Sequence, residues 1–307
     1  MKFFIQKAII VDQPLEKVRP LISDFNQWKS WSPWAVIEPN HTRNIWGKVG
    51  TVGHTLTWSG EIIGAGTITI SAEKFAQISY NLEFQKPQKS KYTSEFLFER
   101  VGKNKTEITW NMTGNMPWFL FWMIPMIKFL IGMDYDRGLK MLKSVAETGT
   151  VKAKTTHEGI VDFVGFEYVG IKKTSHADDM ATEMPQVFGQ LVTDLDSKNN
   201  LSKHWISIYP KVNMRKGLFT YVAAASTENA TKILKNNHIT GSIKSGRMLK
   251  ITHNGSYKFL GNAWTMGMMI MRSQKLKKSA PPFEYYHNNP QDTPEDDLIT
   301  DIYFPVK

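Results

Sequence analysis

His253-Asn254-Gly255-Ser256-Tyr257, running on through Lys258-Phe259-Leu260-Gly261-Asn262-Ala263-Trp264, and Phe283-Glu284-Tyr285-Tyr286 after Pro281-Pro282 are the stretches that decide how this chain is read. A Gly-Ser pair ends a strand and can start a helix, because Ser256 offers its hydroxyl to the free amides of the first turn. Tyr257, Leu260, Trp264, Met268 and Met271 then recur at steps of three or four, the spacing of one helical stripe. Phe283–Tyr286 reads as a strand. Alternation puts Glu284 and Tyr286 on one face, Phe283 and Tyr285 on the other. One carboxylate among aromatic residues, facing an aromatic helix, fits a pocket for a lipophilic or cationic molecule. On an edge strand the same Glu284 would simply point to water.

The pattern H-N-G-S-Y-x-x-L-x-x-A-W, with F-E-Y-Y-x-N-x-P-x-x-T-P-E-D-x-L-x-T-D-I-Y-F-P-V, resembles the gyrase-inhibitor-like family. That family shares its fold with the effector-binding domains of multidrug-sensing transcription activators. The resemblance implies two strand-helix-strand-strand units side by side, a ligand pocket between them, and an acid at the position of Glu284 facing cationic or aromatic ligands. It covers roughly the last half of the chain.

A chain of 307 residues fits two domains. With 41% hydrophobic and 21% charged residues, both would fold as ordinary globular units. Having no cysteine, the chain has no disulfide, thiolate zinc site or cysteine nucleophile. The opening Met1–Lys7 lacks the long apolar core and cleavage site of a signal peptide, so a cytoplasmic protein is expected. The net charge of +10 raises the question of nucleic acid or an anionic membrane. The excess is spread over both halves, however, and no zinc-finger, RNP-type or helix-turn-helix pattern is present. Direct nucleic-acid binding is therefore not expected.

The first half begins with a strand at 3–11 and a helix opened by Pro14, with Val18, Leu21, Ile22 and Phe25 on its apolar face. Pro20 predicts a kink or a short, broken helix. Trp28, Trp31 and Trp34 follow. Strands fill 53–113, with a turn at Gly102-Lys103-Asn104-Lys105, and a last helix carries Tyr135, Leu139, Leu142 and Val145 on one face. The proline-led helix, the W-x-x-W-x-P-W run and the ending Gly132-Met133-Asp134-Tyr135-Asp136-x-Gly138-Leu139-x-x-Leu142-Lys143 resemble the START-like helix-grip superfamily (polyketide cyclase/dehydrase, SRPBCC). This implies a curved sheet gripping the last helix around a hydrophobic cavity, and it carries over no catalytic residue. The apolar run 118–131 is too short to span a bilayer and contains Pro125 and Lys128, so it reads as a buried or cavity-covering helix. Its alternative is a mobile apolar gate or a membrane contact.

Residues 149–156 have the polar composition of a linker, separating domains at 1–148 and 157–307. The second half repeats one order: strand at 166–172, helix at 180–196, strands at 206–212 and 218–225; then strand at 247–253, helix from 257, strands at 283–287 and 298–304. The fold class is α+β, a helix-grip domain followed by a duplicated strand-helix-strand-strand domain.

Glu284 is the strongest candidate site residue, with Tyr257, Trp264, Tyr286 and either Tyr168 or Tyr221 as walls. Burial among aromatics should raise its pKa, and a positive ligand would reverse that. By resemblance, Glu284 could instead be the general acid/base of a hydrolase or cyclase, with Tyr257 orienting substrate. The family's name also suggests an inhibitor that binds a macromolecule. His253 reads as a turn-stabilising residue. His54, His157, His176, His204 and His287 show no metal-ligand spacing, so no metal is expected. Without a P-loop or dinucleotide fingerprint, no cofactor is expected either. The expected partner is a small hydrophobic or cationic molecule bound by a monomer.

Overall fold

The computed structural model describes residues 1–196, 204–227 and 237–307. They form two compact units, Met1–Lys152 and Ala153–Lys307.

In the first unit, β1 (Lys2–Val11) alternates, burying Phe3 and Ile5 while Lys2, Phe4 and Gln6 face out. Helix α1 (Leu15–Ser23) is nine residues long with Pro20 inside, the short helix its proline predicted. After a 3₁₀ turn at Gln27–Ser30 and α2 (Pro33–Ile37) come β2 (Thr42–Trp46), β3 (Thr55–Ser59), β4 (Ala65–Lys74), β5 (Gln77–Lys86), β6 (Ser90–Gly102) and β7 (Lys105–Asn115). The antiparallel order is β1-β7-β6-β5-β4-β3-β2. A last helix, α3 (Ile124–Thr148), buries Tyr135, Leu139, Leu142 and Val145 as its periodicity predicts, and ends on Gly149 at φ +84°, where glycine meets no steric penalty. Trp28 and Trp31 are buried beside Phe96 and Trp110. Trp110 stacks on Tyr135 at 3.8 Å, filling that part of the space between α3 and the sheet.

Of the expectation that 118–131 is a buried or cavity-covering helix, the burial is overturned. Trp118–Met123 is a 3₁₀ turn without a single buried residue, and α3 buries nothing before Gly132. The turn follows the end of β7, and only the later part of α3 is covered.

In the second unit, β8 (Ala153–Phe163), β9 (Phe166–His176), α4 (Met180–Asp196), β10 (Trp205–Asn213) and β11 (Leu218–Ser226) precede β12 (His238–Ile243). Then come β13 (Gly246–Gly255), α5 (Gly261–Ser273), β14 (Phe283–Tyr286) and β15 (Ile299–Pro305). The sheet order is β12-β9-β11-β10-β14-β15-β13-β8. The two repeats therefore meet at the β10–β14 seam, and each carries one extra outer strand. Sequence patterning missed both β8 and β12. The expected linker is accordingly shorter, since Ala153 already pairs with Gly255.

Helix α5 turns a different face to the sheet from the one expected. Its buried residues are Asn262, Ala263, Met266, Gly267, Ile270 and Met271, while Trp264 and Met268 are half-buried on its flank. Small residues set this rotation: a Cβ on Gly267 would come within 2.1 Å of the Phe304 ring. The helix sits too close to β15 for a large side chain there.

Candidate functional site

Glu284 sits at the seam, opposite Ser207 of β10. It is 3% exposed, which removes the reading of an acid pointing to water. Its face of the sheet is covered by α4, through Val187, Met184 and Phe188, and by Trp264 of α5. Alternation on β14 holds as predicted: Tyr286 shares Glu284's face, while Phe283 stacks on Tyr303 at 5.1 Å on the other.

Three neutral groups donate to the carboxylate. Trp264 Nε1 donates to Oε1 at 2.6 Å and Tyr209 OH to Oε2 at 3.0 Å, and the Tyr286 hydroxyl makes a short bond to Oε2. The Tyr286 hydroxyl oxygen also lies 2.9 Å from Ser207 Oγ, which can donate to it while Tyr286 donates to Glu284. No lysine, arginine or histidine pairs with Glu284 among the described residues. Burial pushes its carboxyl above the ordinary range, and the bonds from Tyr286, Trp264 and Tyr209 only partly oppose this. Burial and the neighbouring carboxylate together keep Tyr209 and Tyr286 protonated, with pKa values well above the ordinary tyrosine value. Such a box holds a negative charge at a cost, since an unpaired buried ion is unfavourable by several kcal/mol. It can accept a proton or a cation.

The structure brings Glu284, Tyr257, Trp264 and Tyr286 together, Tyr257 lying with its ring centroid 6.0 Å from that of Tyr286. Tyr257 is 37% exposed at the rim. Burial of the rest, followed by the charge of Glu284, pushes its hydroxyl up to about 12. Tyr221 lies in the same cluster as Tyr209 and Val187, fully buried, and its hydroxyl has no hydrogen-bond partner. Tyr168 is a correction: its neighbour Val169 faces α4, and Tyr168 itself packs on the opposite side of the sheet. Tyr209 and Ser207 escaped sequence reading. Both follow from the register, because Ser207 lies across from Glu284 and Tyr209 is two residues on. His253 lies within β13, paired with Thr155 and Thr300, and its ring bonds Thr155 Oγ1 at 3.2 Å and the Ser256 carbonyl, just past the strand end, at 3.1 Å.

The reverse face of the same strands carries a second carboxylate. Asp301, across from Tyr285, accepts bonds from Thr252 (2.6 Å), His287 (2.7 Å), Lys250 (2.9 Å) and Tyr303 (3.2 Å). Phe163, Phe166, His204, Tyr285 and Tyr303 help enclose an open cleft of about 270 Å³ beside it. Burial would raise Asp301, but the bonds from His287, Lys250 and Thr252 and the charge of Lys250 prevail and hold it at about 2.

The second domain is thus a duplicated antiparallel sheet with a buried carboxylate under its helices. Residues 159–307 match the GyrI-like small molecule binding domain, and residues 3–147 match the family described as polyketide cyclase / dehydrase and lipid transport. The chain joins a domain of each family. No curated protein matches it.

Several solved structures resemble part of this chain. The EcmrR C-terminal domain is 16% identical and covers 50% of this chain and 98% of its own, with a TM-score of 0.42. In the EcmrR–DNA complex the likeness covers 58% of this chain and 66% of that one, at 15% identity and a TM-score of 0.42. A putative transcription regulation protein from Staphylococcus aureus is 23% identical over 50% of this chain and 98% of its own, with a TM-score of 0.37. None of these bears on ligand or activity.

Proposed function

We propose that the second domain binds lipophilic aromatic cations at Glu284, and that the protein sequesters or senses such compounds. One observation carries this reading: a buried carboxylate held only by neutral donors. An entering cation would supply the charge this box lacks, and Tyr257, Trp264 and Tyr286 would offer π faces to it. Trp264 and Tyr286 bond the carboxylate directly, so the ligand must displace one of them or part α4 from α5. The exposed edge of Tyr257 marks the way in. An apolar cavity in the first domain belongs to the same proposal, supported by the lipid-transport description of its family.

Calorimetric titration of the full chain with tetraphenylphosphonium, and with neutral triphenylphosphine oxide, tests it. The cation should bind at least tenfold more tightly than the neutral compound, and equal affinity would count against the proposal. The raised carboxyl also favours a second reading, in which Glu284 is the general acid of a hydrolase or cyclase. In that case Glu284→Gln would abolish turnover while leaving the affinity of a neutral substrate intact.

A further inference from the structure

The first domain carries a surface that small-molecule binding at Glu284 does not use. Within the turn at 118–123, Trp118 is 77% exposed, Phe119 59%, Phe121 57% and Trp122 49%. Leu130 on α3 is exposed as well. Helix and turn together, Trp118–Thr148, are long and apolar enough to cross a bilayer by length and composition, and only 11% of the most apolar window is buried. Much of two indoles and two phenyl rings is thus exposed to water within one short turn, more than scattered surface apolar residues.

Charge decides what suits this patch. No acidic residue occurs between Glu107 and Asp134, whereas Lys128 is exposed within the run. The strand register brings more cations to the same sheet end. Lys2 pairs with Asn115 at the end of β7, and the amino terminus bonds the Met116 carbonyl. Tyr92 of β6 pairs with Gly114, and Phe84 of β5 with Ser90, which puts exposed Lys86, Lys89 and Lys91 within about 10 Å of β7 across two strand spacings. Of these lysines, Lys91 is the one that pairs with an acid, Glu83 at 2.7 Å.

We infer that the Trp118–Met123 turn and the first turns of α3 dock in the interface of an anionic bilayer, the aromatic rings at headgroup depth and the lysines facing the phosphates. Aromatic rings favour that depth, and each nearby lysine tightens binding about fivefold. Spanning is a poorer fit. Lys128 lies within the run and Asp134 follows it, and from Gly132 onward the helix is packed against its own sheet.

The test is co-sedimentation of the full chain with vesicles of phosphatidylcholine alone or with 30% phosphatidylglycerol, alongside tryptophan quenching by brominated lipid. Binding should be confined to the anionic vesicles and weaken in high salt. Trp118→Ser with Phe119→Ser should reduce it at least tenfold and lower the quenching. Lys2→Gln with Lys89→Gln and Lys128→Gln should reduce it at least tenfold on anionic vesicles, with the thermal unfolding midpoint nearly unchanged. Failure of the wild-type chain to bind anionic vesicles would overturn the inference. So would equal binding by the aromatic variant, or a wild-type dimer that this variant converts to monomer.

Discussion

Two carboxylates on neighbouring strands of the second domain, Glu284 and Asp301, are almost equally buried, at 3% and 1% exposure, yet behave oppositely. Glu284 meets only O–H and N–H donors without charge, and burial wins, raising its pKa. Asp301 meets Lys250 and His287 as well as Thr252, and these overcome the same burial to hold it at about 2. Depth is therefore not what sets the two carboxyls apart. The difference lies in whether the protein already supplies the counter-charge. Asp301 has its counter-charges within the fold, and Glu284 has neutral donors instead; in the proposed function a bound cation fills that role.

Glu284→Gln should break this comparison most strongly. The affinity for tetraphenylphosphonium should fall at least 100-fold, about 3 kcal/mol, since a charge pair at 4 Å and moderate dielectric is worth roughly that. Affinity for triphenylphosphine oxide should change less than about threefold. Stability carries a second signature of the same residue. A carboxyl raised in the folded state favours folding fully below its ordinary value and loses that contribution as pH rises through the folded value. Chemical denaturation should accordingly show the wild-type protein losing stability relative to Glu284→Gln as pH rises above about 5.

Asp301→Asn should act on stability instead. We expect a loss of about 2 kcal/mol, less than for a fully enclosed pair because Lys250 and His287 keep contact with water, with cation affinity unchanged. Its sign with pH is reversed. The depressed pKa stabilises the fold above the ordinary carboxyl value, and that contribution disappears as pH falls from about 4 to about 2. Acid denaturation of wild type and variant should converge in that window. Converging curves at neutral pH would show that the Lys250–Asp301–His287 group contributes nothing.

Tyr209→Phe sharpens the comparison by a smaller step. Removing one of three donors should cost about 1 kcal/mol and raise the Glu284 carboxyl further. The pH at which cation affinity levels off should rise by up to about one unit, equivalent to about 1.4 kcal/mol. An unchanged profile would mean that the Tyr209 bond does not tune the carboxyl.

Much of this was legible in the sequence because it rests on period. Alternation over Phe283–Tyr286 assigned both faces of β14, and the repeated strand-helix-strand-strand order anticipated the two halves that meet at the seam. What period cannot supply is register and contact. Residue type alone groups Tyr168 with Glu284, yet Tyr221 lies across from Lys173, so Val169 and Ile171 face α4 and Tyr168 faces away. Tyr209 went unnoticed although it bonds the carboxylate, because only the Ser207–Glu284 pairing reveals it. The outer strands β8 and β12 were missed because both are half-exposed, and their patterns lack a clean apolar face. Composition made 118–131 look like core. Nothing in a sequence window shows that the sheet ends beneath it.

The most direct test of the missing counter-charge is the affinity of the full chain for tetraphenylphosphonium between pH 5 and pH 8, beside Glu284→Gln. Binding to the wild-type protein should tighten with rising pH, up to about tenfold per unit, and then level off as Glu284 ionises, while the variant stays weak and flat. Equal affinities and parallel flat profiles would contradict the account, leaving Glu284 a buried acid satisfied by its own tyrosines and tryptophan.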